Sequence, residues 1–325
     1  MVIDRRRLLL QAACVAFAPL LPGRAAAESY PTRPVRMMIG FPPGGGADVL
    51  TRITCDWLSQ RLGQAFVVEN RPGAATNLAT EAVVRAPADG YTLLATTTSN
   101  LLNGALYEDL KYDFIRDIAP VASLSVQPLV LVVGSDGPAR SFPQLVAYAK
   151  ANPGKISIGH TGPGTISHLA GEYWKQQAGI DAMTVPYRGS APMLTDLLAG
   201  RIQVAFDNIA GPIGHIKSGS LHALAVTTTA RSDKLPGVPT VSEFLPGYEA
   251  YAVAGFGAPK GTPAEIIARL NAEINAGLAD PRLKARLGEL GVNLLAGTPT
   301  DFAQLIARET DKWGRLIKSS GIKVG

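Results

Sequence analysis

One short stretch constrains the fold of this chain more than any other: residues 41–48, which read FPPGGGAD. The apolar residues at 35–39 predict a β-strand before it, and apolar residues at helical spacing over 50–62 predict a helix after it. A helix thus begins directly from a glycine-rich loop. Glycine lets a ligand approach backbone N–H groups closely, and a helix N-terminus attracts anions. The stretch is typical either of a small-anion site or of an ordinary turn in which Asp48 caps the helix.

The composition limits the class of protein. The chain has 325 residues and is 46% hydrophobic, which is enough for a large core and suggests two domains. We interpret residues 1–27 as a signal peptide cleaved near Ala27, because arginines at 5–7 precede an apolar run and three alanines. Both the Sec and the twin-arginine export routes fit it. Removal of the signal peptide also removes four arginines and one aspartate, and so most of the formal charge of +5. The remaining charge does not indicate nucleic-acid binding, which needs a strong basic patch.

From residue 28 onward, strand and helix patterns alternate, which predicts an α/β protein with largely parallel sheets. Strands predicted at 35–39, 66–69 and 91–96 each end in a loop rich in Gly, Thr, Ser or Asn. Ligands of open α/β sheets bind beyond the carboxyl ends of the strands, so we expect these loops to meet at one rim. The candidate ligand-binding residues on this rim are Phe41, Pro43, Gly44, Gly45, Asp48, Thr97 and Ser99.

A second α/β unit repeats this design. Predicted strands at 155–160 and 183–186 lead into TGPGTISH and YRGSAP, which offer backbone donors and free hydroxyls. Arg188 could bind a carboxylate bidentately or face solvent at the cleft mouth. Asp207, at the end of another strand, must point away from an anion or contact a donor of the ligand. The candidates here are Gly162, Thr165, Ser167, His168, Tyr187, Arg188, Gly189, Ser190, Ala191 and Asp207.

Two crossings of the chain are expected between the two units. Strand segments over 118–133 are interrupted by Gln127-Pro128, and a strand at 251–257 returns to the first unit. After that return, Thr262 is predicted to cap a helix that Pro263 begins. The predicted domains are residues 28–127 plus 252–325 for the first, and 128–251 for the second.

Several longer strings resemble one family, in order along almost the whole chain after residue 27. They are FPPGGGAD, VVENRPGA, DGYTLL, HLAGEYWKQQAG, VPYRGSAPMLTDLLAGRIQVAFDN and APKGTP. The chain is similar in these strings to the substrate-binding receptors of tripartite tricarboxylate transporters, the Bug proteins. The resemblance implies a periplasmic, type II binding protein whose two α/β domains form a Venus flytrap. It also implies a small carboxylate in the interdomain cleft, held by the loop after the first strand and by loops of the second domain.

One departure from the family affects the second loop of the first unit. The family usually has paired glycines after Arg71-Pro72-Gly73-Ala74, whereas this chain has Ala75-Thr76. Bare backbone is therefore less certain to approach the ligand at this loop.

The resemblance implies integral-membrane transporter subunits as partners, and we expect a monomer without a cofactor. Presentation of the ligand to a membrane sensor kinase, without transport, remains an alternative. An enzyme is disfavoured, because neither glycine-rich loop matches a P-loop or a dinucleotide fingerprint and there is no Gly-x-Ser-x-Gly elbow. The four histidines lack metal-ligand spacing and Cys55 is the only cysteine after residue 27, so neither a metal site nor an internal disulfide is expected.

Overall fold

The computed structural model describes residues 30–320 and residue 322. The predicted signal peptide lies outside the described residues. The strands are β1 Val35–Ile39, β2 Phe66–Asn70, β3 Thr92–Thr97, β4 Ile118–Gly134, β5 Ser157–His160, β6 Met183–Pro186, β7 Val204–Asn208, β8 Leu221–Val226, β9 Tyr251–Pro259 and β10 Asn293–Leu294. The helices are α1 Gly46–Leu62, α2 Asn77–Val84, α3 Thr98–Leu106, α4 Phe114–Asp117, α5 Phe142–Ala151, α6 Ile166–Ala178, α7 Ser190–Leu198, α8 Ile213–Lys217, α9 Ala264–Ala279, α10 Pro281–Glu289 and α11 Pro299–Ser320.

The strands form one continuous hydrogen-bonded array in the order β2-β1-β3-β9-β4-β7-β5-β6, with β8 and β10 also paired to β4. On the first side, β1 is parallel to β2 and β3, and on the second side β5 is parallel to β6 and β7. The antiparallel strands β9 and β4 lie between these two parallel groups. The chain therefore has the two α/β units that the alternating pattern predicts.

The carboxyl ends of the two parallel groups point at the middle of β4 from opposite directions. The end of β3 pairs with Ala254 of β9, and Ala254 pairs with Ser125 of β4. The end of β7, at Asn208, pairs with Leu129 of β4. The loops that follow β1, β5, β6 and β7, and the helix start that follows β3, therefore converge on one region of the molecule.

The predicted interruption of β4 at Gln127-Pro128 is wrong, because β4 runs unbroken for 17 residues. What changes there is the pairing: β4 pairs with β9 up to Pro128, and with β7 and β8 from Leu129 onward. Proline has no N–H to donate to a ladder and is tolerated where pairing ends. The domain division itself stays a prediction, although this change of partners and the start of β9 at Tyr251 agree with it.

Two helix starts differ from those expected. The polar run at 96–100 is not a loop, since β3 continues directly into α3. Asn100 closes the first turn of α3, because its side-chain oxygen accepts from the Thr97 N–H at 2.7 Å. α9 begins at Ala264 with Pro263 as the N-cap residue, one position later than expected, so Thr262 does not cap it. The Thr262 hydroxyl donates instead to the Pro259 carbonyl at 2.8 Å.

Hydrophobic cores lie on both sides of the array. Trp174 and Phe206 are fully buried in the core of the second side. Trp313 from the C-terminal helix α11 and Leu102 from α3 belong to the same core, so these two helices pack across the change in β4 pairing. Among residues 30–320 and 322, no helix combines the length and the apolarity that crossing a membrane would need.

Candidate functional site

The loop at 41–48, here called the first wall, places exposed glycine backbone at a helix N-terminus. α1 begins at Gly46, and Gly44, Gly45 and Gly46 are all exposed, as is Pro43. A Cβ added at Gly44 or Gly46 would meet no atom within 4 Å, so the space above these glycines is open to ligand atoms. Gly44 has a φ of 85°, a conformation that non-glycine residues rarely adopt. The loop fits an anion site because the backbone at Gly45 and Gly46 is exposed and the N-terminal end of the helix dipole is positive.

Asp48 does not cap α1 as the ordinary-turn interpretation supposed, because the N-cap residue is Gly45. Its carboxylate, 1% exposed, accepts from the Gly44 N–H at 2.9 Å, from Arg52 Nε at 2.9 Å and from Asn70 Nδ2 at 2.8 Å. Burial alone would raise the pKa of Asp48, but these hydrogen bonds and the Arg52 charge outweigh it and lower the pKa. The acid in the first wall is therefore ionised and its charge is compensated by Arg52.

Asn70 connects the first wall to the neighbouring strand. It ends β2 and also donates to the Phe41 carbonyl at 2.9 Å, so one amide holds both the loop and the Asp48 carboxylate. Arg52 and Asn70 were not predicted as site residues. The position of Arg52, four residues after Asp48 on the same helix, was the available signal for the first of them.

The loop after β2 has a strained backbone. Ala74, Ala75 and Thr76 have φ values of 45°, 49° and 79°, three consecutive non-glycine residues in the left-handed region. Asn103 from α3 donates to the Ala75 carbonyl at 2.7 Å and so helps to hold the strained turn. The paired glycines that the family has here would adopt this conformation without the Cβ penalty.

The residues at the end of β3 differ in exposure. Thr97 ends the strand and is partly exposed, whereas Ser99 is 3% exposed in the first turn of α3. A contact of the Ser99 hydroxyl with a ligand stays a prediction, and its burial argues against it.

The second wall comprises residues 161–168 and 187–191 together with Asp207. Two of its predicted free hydroxyls are used inside the protein. Thr165 caps α6 by accepting from the His168 N–H, and its hydroxyl donates to the Gly162 carbonyl at 2.8 Å. The Ser167 hydroxyl donates to the Phe206 carbonyl and accepts from the Thr161 N–H at 3.2 Å. These hydroxyls position the loop, and contact of either one with a ligand stays a prediction.

Two stacked histidines support the second wall. The rings of His160 and His168 lie 4.3 Å apart at 19°, His160 Nδ1 lies 2.9 Å from the Gly162 oxygen, and His168 Nδ1 accepts from the Gly164 N–H at 3.3 Å. Burial, with His168 beside it, lowers the pKa of His160 to about 4. Burial also lowers the pKa of His168, whose Nε2 lies 3.9 Å from Glu172. Both rings are neutral at pH 7 and hold the loop as neutral groups.

The YRGSAP loop presents one cation and one helix start. Arg188 is exposed and, among the described residues, forms no ion pair, while Tyr187 donates its hydroxyl to Asp196 at 2.9 Å. Gly189 has a φ of 106° and precedes Ser190, the first residue of α7. Direct contact of Arg188, Gly189 or Ala191 with a ligand stays a prediction.

Asp207 lies beneath Ser190 in the second wall. Its carboxyl group is 2% exposed, contacts the Ser190 hydroxyl and accepts from the Asn208 N–H at 2.9 Å. Burial raises the pKa of Asp207 to about 7, against the opposing effect of these two hydrogen bonds. A Cβ at Gly211 would collide with the oxygens of both Asp207 and Ser190, so Gly211 covers this pair closely. The sequence analysis did not predict a role for Gly211. The available signal was its position in the turn that follows Asn208.

The described residues contain no group of three or more His, Cys, Asp or Glu side chains placed to hold a metal ion. The chemistry on offer at the two walls is that of backbone N–H groups, helix N-termini, one exposed guanidinium and two buried acids. Backbone N–H groups, helix N-termini and a guanidinium can bind an anion.

Comparison with known proteins agrees with this geometry. The family model for the tripartite tricarboxylate transporter family receptor matches residues 50–322. A UPF0065 protein from the tcbD-tcbE intergenic region of Pseudomonas sp. (strain P51) is 38% identical over 319 residues, which cover 97% of this chain and 94% of that protein. The structure of R. palustris Rpa4515 with adipate covers 91% of this chain and 100% of its own, with a TM-score of 0.85 and 35% identity. The structure of the periplasmic binding protein BugD has the same coverage, with a TM-score of 0.83 and 32% identity. The α/β binding-protein fold predicted from the sequence is thereby confirmed.

Proposed function

The chain belongs to the tripartite tricarboxylate transporter receptor family, and from that membership we propose that it binds a small carboxylate between its two walls. The receptor acts in the periplasm, after removal of the segment that ends near Ala27. It delivers the carboxylate to the integral-membrane subunits of a transporter. It works as a monomer, without a cofactor and without catalysing a reaction.

The first wall carries this proposal. Gly45 and Gly46 offer N–H groups at the N-terminus of α1, while the Gly44 N–H donates to Asp48, whose charge Arg52 compensates. A carboxylate can approach such backbone without meeting an uncompensated negative charge. The adipate bound by the R. palustris neighbour supports a carboxylate as the ligand class.

The second wall supports closure around the ligand. Its loops and those of the first wall converge on the middle of β4, where pairing passes from β9 to β7. A ligand that contacts both walls when they are close, and one wall when they are apart, favours the closed arrangement. The two chain crossings near 127–128 and 250–255, and with them the domains 28–127 plus 252–325 and 128–251, provide the hinge.

A thermal-shift screen of carboxylates tests the proposal. The panel contains adipate, lactate, malate, citrate, an acidic amino acid, nicotinate and terephthalate, with the matching uncharged amides as controls. A ligand at 100 times its dissociation constant should add about 2.7 kcal/mol of stability. Stabilisation by at least one acid and not by its amide is expected. A flat response to every carboxylate between pH 5 and pH 8 would overturn the proposal.

A sensor role, in which the loaded receptor contacts a membrane kinase and not a transporter, uses the same ligand site. Uptake of the identified carboxylate by a strain that lacks this gene distinguishes the two roles. Loss of uptake supports delivery to a transporter, and normal uptake supports the sensor.

A further inference from the structure

Asp207 presents a problem for an anion receptor, because it is an acid in the wall that should attract a carboxylate. In the first wall the corresponding acid, Asp48, is paired with Arg52 at 2.9 Å. Among the described residues, the hydrogen-bond partners of Asp207 are the Ser190 hydroxyl and the Asn208 N–H. An ionised carboxylate buried with two neutral donors keeps its full negative charge.

No other charged group compensates Asp207. The described residues of β4 and the turn at 209–212 carry no ionisable side chain. The titratable groups on the other elements packed against β7 are His160 on β5, His168, Glu172, Tyr173 and Lys175 on α6, and Asp196 on α7. These pair with one another or with groups other than Asp207: Glu172 with Lys175 at 2.9 Å, and Asp196 with Arg201 at 2.7 Å. The charge of Asp207 is therefore relieved only by protonation.

The protonation state of Asp207 decides what Ser190 can offer to the cleft. When Asp207 is ionised, both of its oxygens accept, so the single proton of the Ser190 hydroxyl is committed to Asp207. Ser190 then presents only lone pairs to an incoming anion. When Asp207 is neutral, its own O–H donates to the Ser190 oxygen, and the Ser190 proton is free to turn toward the ligand.

We propose that Asp207 and Ser190 form a proton relay in the second wall, so that the receptor takes up one proton when it binds a carboxylate anion. This inference rests on the proposed function. The proton comes from solvent and remains on Asp207 Oδ2, where it points at the Ser190 oxygen. Asp207 Oδ1 continues to accept from the Asn208 N–H. The close cover by Gly211 keeps water from replacing Ser190 as the partner of Asp207. Asp207 is a positioning residue, since it acts on the ligand through Ser190.

The first test titrates Asp207 without any ligand, by the carbon-13 NMR shift of its carboxyl group. Burial raises the pKa of this group to about 7, so a midpoint near pH 7 is expected. A midpoint below pH 5 would overturn the inference, because Asp207 would then be ionised in every relevant condition. This measurement decides the charge of Asp207 even if no carboxylate in the panel binds, which would instead overturn the proposed function.

The second test counts protons. Titration calorimetry with the carboxylate that stabilises the protein most, adipate being tried first, is run at pH 6.0 and pH 8.5 in two buffers of different ionisation enthalpy. Uptake near one proton is expected at pH 8.5 and near zero at pH 6.0. Above pH 7 the affinity should fall about tenfold for each pH unit. Tight binding at pH 8.5 without proton uptake would overturn the relay.

Matched variants assign the proton to this pair. Asp207→Asn can keep both contacts, since its oxygen accepts from Asn208 and its amide donates to Ser190, as the neutral acid does. This variant should bind at pH 8.5 as tightly as the natural protein does at pH 6.0, without proton uptake. Asp136→Asn removes an acid from the exposed turn after β4, at the opposite end of the β4–β7 pairing, and should leave the pH dependence intact. If the carboxylate affinity of Asp207→Asn depends on pH as strongly as that of the unsubstituted protein, the inference is contradicted.

Ser190→Ala separates the relay from simple charge repulsion. If the Ser190 hydroxyl donates to the ligand, this variant should bind a few-fold to about tenfold more weakly at pH 6.0, where Asp207 is already neutral. Unchanged affinity at pH 6.0 would show that the ligand does not contact Ser190, and the relay would be wrong.

Discussion

The loops after β1 and β5 share one plan, in which a strand enters a glycine-rich turn and a helix begins, yet they treat charge in opposite ways. The first wall holds its acid as an ion, with Arg52, Asn70 and the Gly44 N–H around Asp48. The second wall is supported by the neutral, stacked rings of His160 and His168, and its acid, Asp207, lacks a cation partner among the described residues. Similar backbone thus produces one wall that is insensitive to pH above pH 5 and one that responds to it near neutrality.

The largest effect is expected from closing the open space in the first wall. Gly45 has a φ of −77° and a Cβ there would meet only the Pro42 oxygen at 3.9 Å, so Gly45→Val is compatible with the fold. The new side chain occupies the space over the N–H groups, and carboxylate binding should fall more than 100-fold, a loss of about 3 kcal/mol. Titration calorimetry measures it.

Gly44→Val should also abolish binding, but it adds backbone strain at a φ of 85°. Gly63→Val is the matched control for that strain, since Gly63 ends the same helix with a φ of 69° and open space around it. Both variants should lose a similar stability of about 1–2 kcal/mol, and only Gly44→Val should lose the ligand. If Gly44→Val and Gly45→Val bind normally while folded, the first wall is not the site.

The second expected effect is acid lability of the second wall. His160 has a pKa of about 4 in the folded protein and an ordinary value near 6.5 when unfolded, so the unfolded state takes up more protons below pH 6.5. The contribution of His160 to stability should therefore be complete above about pH 6.5 and be lost as the pH drops to 4, by on the order of 3 kcal/mol. Asp207, whose pKa is raised to about 7, adds stability over the same fall in pH, so the His160 contribution is obtained as the difference between the natural protein and a His160 variant. Urea unfolding at pH 7, 5.5 and 4 measures the loss.

His160→Asn provides the comparison, because its amide can still donate toward the Gly162 carbonyl but does not titrate. The variant starts from a lower stability at pH 7, since it loses the stacked ring. Asp207 contributes equally to both proteins, so between pH 6.5 and 4 the natural protein should lose more stability, or gain less, than the variant does. Equal losses would mean that the histidine pair does not set the acid sensitivity.

The third effect concerns the ion pair of the first wall. Asp48 is buried but the Arg52 side chain is 44% exposed, so solvent weakens the pair and Arg52→Gln should cost only about 1–2 kcal/mol. The lowered pKa of Asp48 gives stability that is present above about pH 4 and lost as the pH falls below it. Urea unfolding at pH 7 should show the difference and at pH 3 a smaller one.

Arg61→Gln is the control on the same helix. Arg61 pairs with Glu273 at 3.0 Å on a half-exposed surface, and its loss should cost less than about 0.5 kcal/mol. If both arginine variants lose equal stability, the Asp48 pair has no special role.

Features that depend on local backbone follow from local sequence patterns. Gly63 ends α1 in the left-handed conformation, Ser141 caps α5 and Asp280 caps α10, because each of these depends on residues within a few positions. The strand order cannot be predicted from such local patterns. β9 lies between β3 and β4 in the sheet, although more than a hundred residues separate the end of β4 from the start of β9 in the sequence.

The partners of polar side chains were the weaker part of the sequence interpretation. Thr165 and Ser167 have hydroxyls in a ligand-type loop, but a hydroxyl shows no preference in sequence between a ligand and a nearby carbonyl such as that of Gly162 or Phe206. Asp207 was recognised as a difficulty, and its solution depends on Ser190, 17 residues away. Burial and distance, which decide both cases, are properties of the fold.

The smallest effect is expected at the strained turn beside the first wall, and it has the opposite sign. Ala75 has a φ of 49° and a ψ of 48°, where a Cβ costs roughly 1 kcal/mol, so Ala75→Gly relieves this strain. Glycine also makes the unfolded chain more flexible, which offsets part of the gain. The net result should be a stabilisation of about 0.5 kcal/mol by urea unfolding. Ala82→Gly in the neighbouring helix α2 is the matched control and should destabilise by about 0.5–1 kcal/mol. Two changes of alanine to glycine only seven residues apart should thus have opposite signs, and a loss at both positions would mean that the turn at Ala75 is not strained.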